Sequence, residues 1–326
     1  MDTGTDYPEP GGNPYDLLGD DLDDGHRWAF GTGFTDPLAG VDTTIPPGLD
    51  AAALARYCLA LGDDALVYSH RLQQQLTRMP ELEEETAIAN IALDLLGQAR
   101  MLLTRAGTVL GATEDQLAFF RDERHFRNVR LAEHEDRDFA ELTARLLLFS
   151  AWRLAVFEEL SAGGDPPATR SPLADPVLAD PVLADPVLAD PVLADPVLAD
   201  PVLAAIAAKG VNELAYHRDY AAQWVIRLGD GTELSHQRMQ RGLDAVWPLY
   251  GELFRPDPGA LAAVSQAAVD TVVGAVLSAA GLDWPCAAPL AAVGGRAGRD
   301  GVHTEAMGGL LAELQSVARA DPDATW

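Results

Sequence analysis

The fold is decided by one continuous stretch, residues 80–107, which reads PELEEETAIANIALDLLGQARMLLTRAG. Its apolar residues recur at helical spacing, and Leu93 and Leu96 extend the hydrophobic surface well around the helix. A helix that is apolar on most sides must be packed on most sides, so this stretch predicts an inner helix of a bundle. Its polar stripe is narrow and consists of Asn90, Asp94, Gln98, Met101 and Arg105.

Helical patterning on both sides of this stretch indicates more helices, and no segment shows the alternation of a strand. Since only Met79 and Pro80 separate the first two long helices, we expect them to be antiparallel neighbours. The pattern predicts an all-α protein, a ferritin-like four-helix bundle with additional C-terminal helices. The long helices are predicted at 51–77, 81–106, 138–160 and 203–228, and the others at 114–128, 233–254, 260–280 and 304–319.

Two segments fall outside this helical domain of residues 48–326. Residues 1–47 are rich in Gly, Pro and Asp and are predicted to be a disordered acidic tail. A low-complexity loop is predicted at 164–199, where the pentapeptide DPVLA is repeated without variation up to Ala204. A proline in every fifth position prevents a continuous helix. Only the last copy differs, because Asp200 can cap a helix whose first residue is Pro201.

Composition excludes several classes of function. The chain has 326 residues, 50 Asp and Glu against 23 Lys and Arg, and a formal net charge of -27. A field of this sign disfavours nucleic acid and anionic membranes as partners. Cys58 and Cys286 have neither metal-site spacing nor a secretory context, so both are interpreted as reduced thiols. Without a signal peptide or a membrane-spanning run, the chain is expected to be cytoplasmic.

Helical bundles of this kind often bind two metal ions, through a Glu from each of two helices and a Glu-x-x-His from each of the others. None of the four predicted long helices contains a Glu-x-x-His. Glu123 with His125 and Glu213 with His217 have offsets of two and four instead of three. We therefore expect neither a metal site nor a catalytic residue in this chain.

A rival interpretation keeps a metal in the chain. It makes the protein an autonomous di-metal carboxylate oxidase, or a ferritin-like binding protein, that uses unorthodox ligands. Candidate ligands for such a site are Glu133, Glu158 and Asp94. Metal analysis of the isolated chain separates this rival from the first interpretation.

His217 and Asp94 are two further polar candidates. His217, beside Tyr216 and Glu213, is interpreted as a hydrogen-bonded core residue, with a ligand of a lone metal as the alternative. Asp94 shares its stripe with Arg105, which favours a salt-bridged or solvated carboxylate over a proton-handling one.

A basic run is formed by Arg121, Arg124, Arg127 and Arg130, whose spacing of three places them on one face if the segment is helical. Such a stripe could bind an acidic partner or a coenzyme A phosphate, and neighbouring carboxylates could instead neutralise it. Near the C-terminus, residues 294–301 are glycine-rich and are predicted to be a flexible connection. Thr304 is expected to cap the last amphipathic helix.

Several ordered blocks resemble one family, the C subunits of the bacterial phenylacetyl-CoA 1,2-epoxidases, which are multicomponent ring-activating monooxygenases. The resemblance runs from about Leu54 to Trp326 and is interrupted by the pentapeptides. It is carried by LGDDALVYSHRL (61–72), PELEEETAIANIALDLLGQAR (80–100), LAFFRDERHFRNVRLAE (117–133), AAIAAKGVNELAYHRDYAAQWVIRLGDGT (204–232) and GVHTEAMGGLLAELQ (301–315).

The resemblance implies a non-catalytic, ferritin-like subunit that acts in phenylacetate catabolism. Its partners would be a catalytic A subunit, which has the same fold and carries the di-iron centre, and the other subunits of the complex. One of these is a reductase that uses NADPH, flavin and an iron-sulfur cluster. This subunit would contact phenylacetyl-CoA only indirectly, through the complex. An overlay of the catalytic subunit's motifs places vestigial ligand positions at Leu95, Gln98, Ser150, Leu214 and His217.

Overall fold

The computed structural model describes residue 38 and residues 40–162, 200–255, 264–322 and 324. Of the predicted tail, only Leu38 and residues 40–47 are among them, and the loop predicted at 164–199 lies wholly outside them. The described part of residues 40–326 is all-α and contains no strand. None of its helices is both long and apolar enough to cross a membrane.

Four long helices form the core of this part of the chain. They are α1 (Ala51–Gln75), α2 (Leu82–Leu110), α5 (Phe139–Ser161) and α6 (Pro201–Gly229). Helix α1 packs against α2, α5 against α6, and α2 contacts α6. This is the ferritin-like arrangement that the sequence predicts, so the fold class is confirmed.

The remaining helices are shorter and surround the core. Helices α3 (Glu114–Phe119) and α4 (Arg130–Glu133) lie between α2 and α5 in sequence. After α6 follow α7, α8, α9 and α10, and α7 contacts both α5 and α6. Their bounds are Glu233–Tyr250, Gln266–Ala280, Glu305–Leu314 and Ser316–Ala320.

Side-chain caps fix where several helices begin. Asp50 accepts from the backbone N–H groups of Ala52 and Ala53, at 2.9 and 3.0 Å, and so starts α1. Asp200 accepts from the Leu203 N–H at 2.8 Å, and Pro201 is the first residue of α6. The prediction that the last pentapeptide opens a helix is therefore confirmed.

The helix that is buried all round is α5 and not α2. Nearly every side chain from Ala140 to Phe157 is buried, including those of Phe149, Trp152, Val156 and Phe157. In α2, by contrast, Leu93 is 60% exposed. The prediction that α2 is packed on most sides is wrong, because one side of the helix faces solvent.

Two glycines allow the core helices to approach closely. A Cβ on Gly62 of α1 would lie 2.9 Å from a methyl carbon of Leu103 on α2. A Cβ on Gly210 of α6 would lie 2.6 Å from the Phe157 ring on α5. A larger residue at either position would force the neighbouring side chain to shift, so glycine suits both close contacts. Gly62 marks a close contact and α1 continues through it to Gln75.

Candidate functional site in the four-helix core

The five vestigial positions all lie inside the bundle. Leu95 and Gln98 are on α2, Ser150 is on α5, and Leu214 and His217 are on α6, and all are buried. Ser150 donates its hydroxyl proton to the Leu146 carbonyl of its own helix at 2.6 Å, so the hydroxyl does not reach a neighbouring helix. Gln98 and His217 are the two that make polar contacts between helices.

A central polar chain, made of Arg153, Gln98 and Glu213, crosses the middle of the core. Arg153 of α5 donates from Nε to Gln98 Oε1 at 3.0 Å and from Nη1 to the Leu61 carbonyl of α1 at 3.2 Å. Gln98 donates from Nε2 to Glu213 Oε2 of α6 at 3.0 Å. The central polar chain therefore links all four long helices by hydrogen bonds.

Arg153 is a fully buried cation in this centre. Burial lowers the pKa of its guanidinium to about 10, although Asp64 and Glu213 oppose the shift. At neutral pH the group is still charged. Its guanidinium carbon lies 4.6 Å from the centre of the Phe157 ring, a cation–π geometry that compensates part of the lost hydration.

The residues of this centre do not fit a di-iron site. Leu95 and Leu214 have no ligand atom, and both functional groups of Gln98 are engaged by Arg153 and Glu213. A di-iron centre needs several carboxylates around the metals. The central polar chain offers one, Glu213, which also pairs with Lys209. The Arg153 guanidinium, which lies in the same core and bonds Gln98, would repel a metal cation.

His217 and Asp94 form a second link between α6 and α2. The Nε2 atom of His217 lies 3.0 Å from Asp94 Oδ2, and the histidine is buried while the carboxylate is partly exposed. The interpretation of His217 as a hydrogen-bonded core residue is confirmed. Asp94 is a partnered and partly solvated carboxylate, as predicted, and its partner is His217. Arg105, which shares its stripe, instead forms a buried ion pair with Asp200, the cap of α6.

The three unorthodox ligands of the rival interpretation belong to different surroundings. Asp94 contacts His217, Glu158 is exposed on α5, and Glu133 accepts from His303 Nδ1 at 2.9 Å and Asn128 Nδ2 at 3.0 Å. Among the described residues, groups of three potential ligands occur elsewhere, at His134, Asp136 and Glu141 and at Glu81, Glu83 and Glu84.

The first of those groups is already neutralised by arginines. Asp136 holds Arg145 through both carboxylate oxygens, and Arg137 donates to Glu141 at 2.7 Å. Although burial opposes ionisation of Glu141, hydrogen bonds from His134 and Arg137 lower its pKa. These contacts make the group an ion-pair network, which does not need a metal.

A comparison with known families identifies the chain. Residues 41–171 and 198–326 match the model of the family described as phenylacetic acid catabolic protein. The chain belongs to this family. A similar protein is the C subunit of the 1,2-phenylacetyl-CoA epoxidase of Escherichia coli (strain K12), which is 35% identical over 284 residues. That alignment covers 84% of this chain and 99% of the relative.

The predicted basic stripe does not exist as a helical face in this chain. Helix α3 ends at Phe119, a short turn spans Glu123–His125, and the backbone is extended at Phe126 and Val129. Arg121 pairs with buried Asp63, and Arg130 pairs with buried Glu252, so carboxylates distant in sequence neutralise them instead of neighbouring ones. The role proposed for Arg121, Arg124 and Arg127 in binding a partner or coenzyme A stays a prediction.

The glycine-rich segment 294–301 is firmly anchored at its C-terminal end, so its prediction as a flexible connection is wrong there. Arg299 donates to both carboxylate oxygens of Asp64, at 2.9 and 2.7 Å. The Gly298 N–H donates to Glu252 at 3.0 Å, and a Cβ on Gly298 would lie 2.1 Å from the Asn128 carbonyl oxygen. Glycine is required by that close approach.

Thr304 precedes α9 as predicted, but its side chain makes no capping bond. Its backbone N–H donates to Glu133, the carboxylate that also holds His303. The start of α9 is therefore fixed by a residue of α4 and not by the local cap.

One Glu-x-x-His does occur in the sequence, at Glu233 and His236, outside the four core helices, and the expectation of no metal site left it out of account. The structure places both residues in the first turn of α7. Glu233 accepts from Gln237 at 2.6 Å, and His236 Nδ1 lies 2.7 Å from the Gly229 carbonyl at the end of α6. His236 therefore closes the turn between α6 and α7, while Glu233 bonds within α7.

Proposed function

We propose that this chain is a non-catalytic structural subunit of a phenylacetyl-CoA epoxidase and acts in phenylacetate catabolism. The observation that carries the proposal is the central polar chain. Arg153 and Gln98 occupy the core of the bundle with a buried cation and an amide, and neither is a ligand of the kind that a di-iron centre uses. Membership of the family and the similarity to an epoxidase subunit from Escherichia coli support the assignment.

The proposal places the chemistry in partner subunits. A catalytic A subunit of the same fold would hold the di-iron centre, and a reductase with flavin and an iron-sulfur cluster would supply electrons from NADPH. This chain would meet phenylacetyl-CoA only through the assembled complex, in the cytoplasm. Its own contribution is a rigid surface against which the catalytic subunit is held, since positioning by a partner is a physical role that requires no reactive group.

The rigidity on which this role depends has a visible basis. The described core is crossed by buried ion pairs that join sequence-distant segments, and an arginine fork against a carboxylate fixes orientation as well as distance. Arg105 and Asp200 join α2 to the start of α6, and Arg299 and Asp64 join the C-terminal segment to α1. A scaffold of this kind presents its outer surface in one arrangement.

Co-expression with the cognate catalytic subunit tests the proposal. We expect a stable hetero-oligomer whose iron resides in the other chain, and ring epoxidation of phenylacetyl-CoA that needs both chains and the reductase. Elemental analysis of the isolated chain after anaerobic loading with iron should give no stoichiometric metal. Two irons in each isolated chain, or full turnover by the catalytic subunit alone, would contradict the proposal.

A further inference from the structure

The connection between α8 and α9 contains a long apolar loop, defined here as residues 284–295, WPCAAPLAAVGG. The loop has no charged residue in a chain where 22% of residues are charged. Most of its residues are exposed, and Val293 is 67% exposed. Single exposed apolar residues are ordinary on a protein surface, but a continuous run of them marks an interaction site.

This apolar loop is held in place from beneath. Asp283, just before it, exchanges two hydrogen bonds with the Gln240 side chain of α7, at 2.9 and 3.1 Å. The Leu290 N–H donates to the Pro248 carbonyl at 2.7 Å. Arg130 donates to the carbonyls of Leu290 and Ala291, at 3.3 and 3.2 Å. The backbone is thus fixed to two other elements while the side chains point to solvent.

The tip of the loop is a tight turn. Val293 and Arg296 exchange backbone hydrogen bonds of 2.9 and 3.1 Å, and Gly294 and Gly295 between them both have positive φ. Two glycines with this geometry form the two-residue turn of a hairpin. The turn presents Val293 on a backbone that has little freedom left, so little conformational entropy would be lost when a partner binds.

Aromatic residues support the other end of the loop. The rings of Trp284 and Trp247 lie 5.3 Å apart in an edge-to-face arrangement, and Trp247 stacks on Tyr250 at 4.7 Å. Trp284 is held by this cluster yet remains exposed. Tryptophan held in a fixed orientation at the centre of an apolar surface is the commonest kind of residue to dominate binding energy in an interface.

The charges at the edge of the loop indicate which partner fits. Arg296 at the turn and Arg255, which donates to the Gly295 carbonyl at 2.6 Å, are both exposed. They favour a surface that has carboxylates around an apolar depression. A second copy of this chain is disfavoured, because two molecules with a net charge of -27 repel each other. A different and less acidic chain would be repelled less strongly.

We infer that the apolar loop is the docking surface for the iron-bearing catalytic subunit of the epoxidase. The inference rests on the proposed function and adds to it the part of the chain that meets the partner. The partner is expected to provide an apolar depression for Trp284, Leu290 and Val293. Carboxylates at its edge would face Arg255 and Arg296.

The test uses the full chain with Leu290→Glu and Val293→Glu combined, and Val317→Glu as the matched control. Val317 of α10 is 60% exposed, so the control adds a charge to a similar exposed valine away from the loop. Affinity for the iron-bearing subunit is measured by titration calorimetry. The melting temperature and the mass in solution, which reports the oligomeric state, are measured for each isolated variant. The loop variant should bind at least tenfold more weakly, a loss of about 1.4 kcal/mol. The control should bind as the wild type does.

The possible results separate the inference from the proposed function. If the wild-type chain binds no epoxidase subunit, the proposed function fails and the inference with it. If the wild type binds and the loop variant binds within twofold of it, only the inference is overturned. Equal weakening by Val317→Glu would also overturn it. A change in mass of the isolated loop variant would identify this chain itself as the occupant and would overturn it too.

Discussion

Arg145 and Arg153 lie about two turns apart on helix α5, and both are fully buried, but only Arg145 has a carboxylate against its guanidinium. Asp136 meets Arg145 with both oxygens. Arg153 donates to an amide and a backbone carbonyl, both neutral. Although burial opposes charging at both sites, Asp136 raises the pKa of Arg145, while burial lowers the pKa of Arg153.

The difference separates two ways of keeping a charge inside a bundle. At the Arg145 end, the ion pair is complete and each partner would be costly to lose alone. At the centre, the cation is held by dipoles and aromatic faces, and Glu213 is reached only through Gln98. The centre is where the iron-bearing bundles of this fold keep their metals, so here a side-chain cation occupies a region that elsewhere receives metal cations.

The largest effect is expected from Asp136→Asn, which leaves Arg145 buried without a counter-charge. We expect the free energy of unfolding to fall by about 3–5 kcal/mol, as is typical when one partner of a buried pair is removed. Urea denaturation measures it. The double variant Asp136→Asn with Arg145→Met should recover most of the loss, because no charge then remains unpaired. A double variant as unstable as the single one would show that the pair is not what stabilises this end.

A smaller effect is expected from Arg153→Met, which removes a cation that has no direct carboxylate partner. The variant leaves Gln98 Oε1 without its donor, and an unsatisfied buried acceptor costs about 1–3 kcal/mol. The Leu61 carbonyl loses one donor but lies inside α1, where the helix supplies another. Methionine restores apolar packing against Phe157, so the net loss should lie near the lower end. Arg145→Met, which strands Asp136, should be the more destabilising of the two. The reverse order, in parallel urea titrations, would contradict the comparison.

The helices of this fold follow from the sequence, but the partners of its buried charges do not. Periodicity alone indicates α1, α2, α5 and α6, because apolar spacing is a local property. Gln98 and Arg105 belong to the same polar stripe as Asn90, but Asn90 is exposed while the other two are buried, and the stripe alone does not separate them. The partner of Arg105 is Asp200, 95 residues away, and no local pattern connects them.

The arginine spacing at 121–130 fails for a related reason. It predicts one face only if the segment is helical, but two carboxylates of α1 capture its backbone. Asp63 accepts from the Arg127 N–H and Asp64 from the Val129 N–H, both at 2.8 Å. These two N–H groups are therefore not available for the hydrogen bonds of a helix, and the backbone runs extended across α1. Buried aspartates in mid-helix were the available signal, since an unpaired buried carboxylate always needs donors from outside its own helix.

A buried histidine extends the comparison to pH. His303 has Glu133 Oε2 2.9 Å from Nδ1 and the Phe126 carbonyl oxygen 3.2 Å from Nε2, so both ring nitrogens face acceptors. Although burial opposes charging, the hydrogen bond and charge of Glu133 raise the pKa of His303. The stability that this gives is complete below the ordinary histidine pKa of about 6.5 and is lost as pH rises through the raised value.

His303→Gln should remove this pH dependence. Glutamine can still donate to Glu133 but does not titrate, so the variant should lose on the order of 1 kcal/mol at pH 6 and less above the raised pKa. Unfolding free energies measured from pH 6 to 9 for both proteins provide the check. Parallel curves across this range would mean that folding does not raise the pKa of His303.

The smallest effect on stability is expected at an exposed cation, which has no burial cost to compensate. Arg124 is exposed, whereas its neighbour Arg121 pairs with a fully buried carboxylate. Arg124→Glu should change the free energy of unfolding by less than about 0.5 kcal/mol, as surface substitutions usually do. Any larger effect of Arg124→Glu should then appear only in the assembled complex.

If Arg124 contacts coenzyme A or an acidic subunit, reversal of its charge should raise the Michaelis constant for phenylacetyl-CoA or weaken assembly. Added salt should reduce the difference between the variant and the wild type. An unchanged Michaelis constant and unchanged assembly, together with unchanged stability, would remove the binding role predicted for Arg124 and leave Arg121 with its structural one.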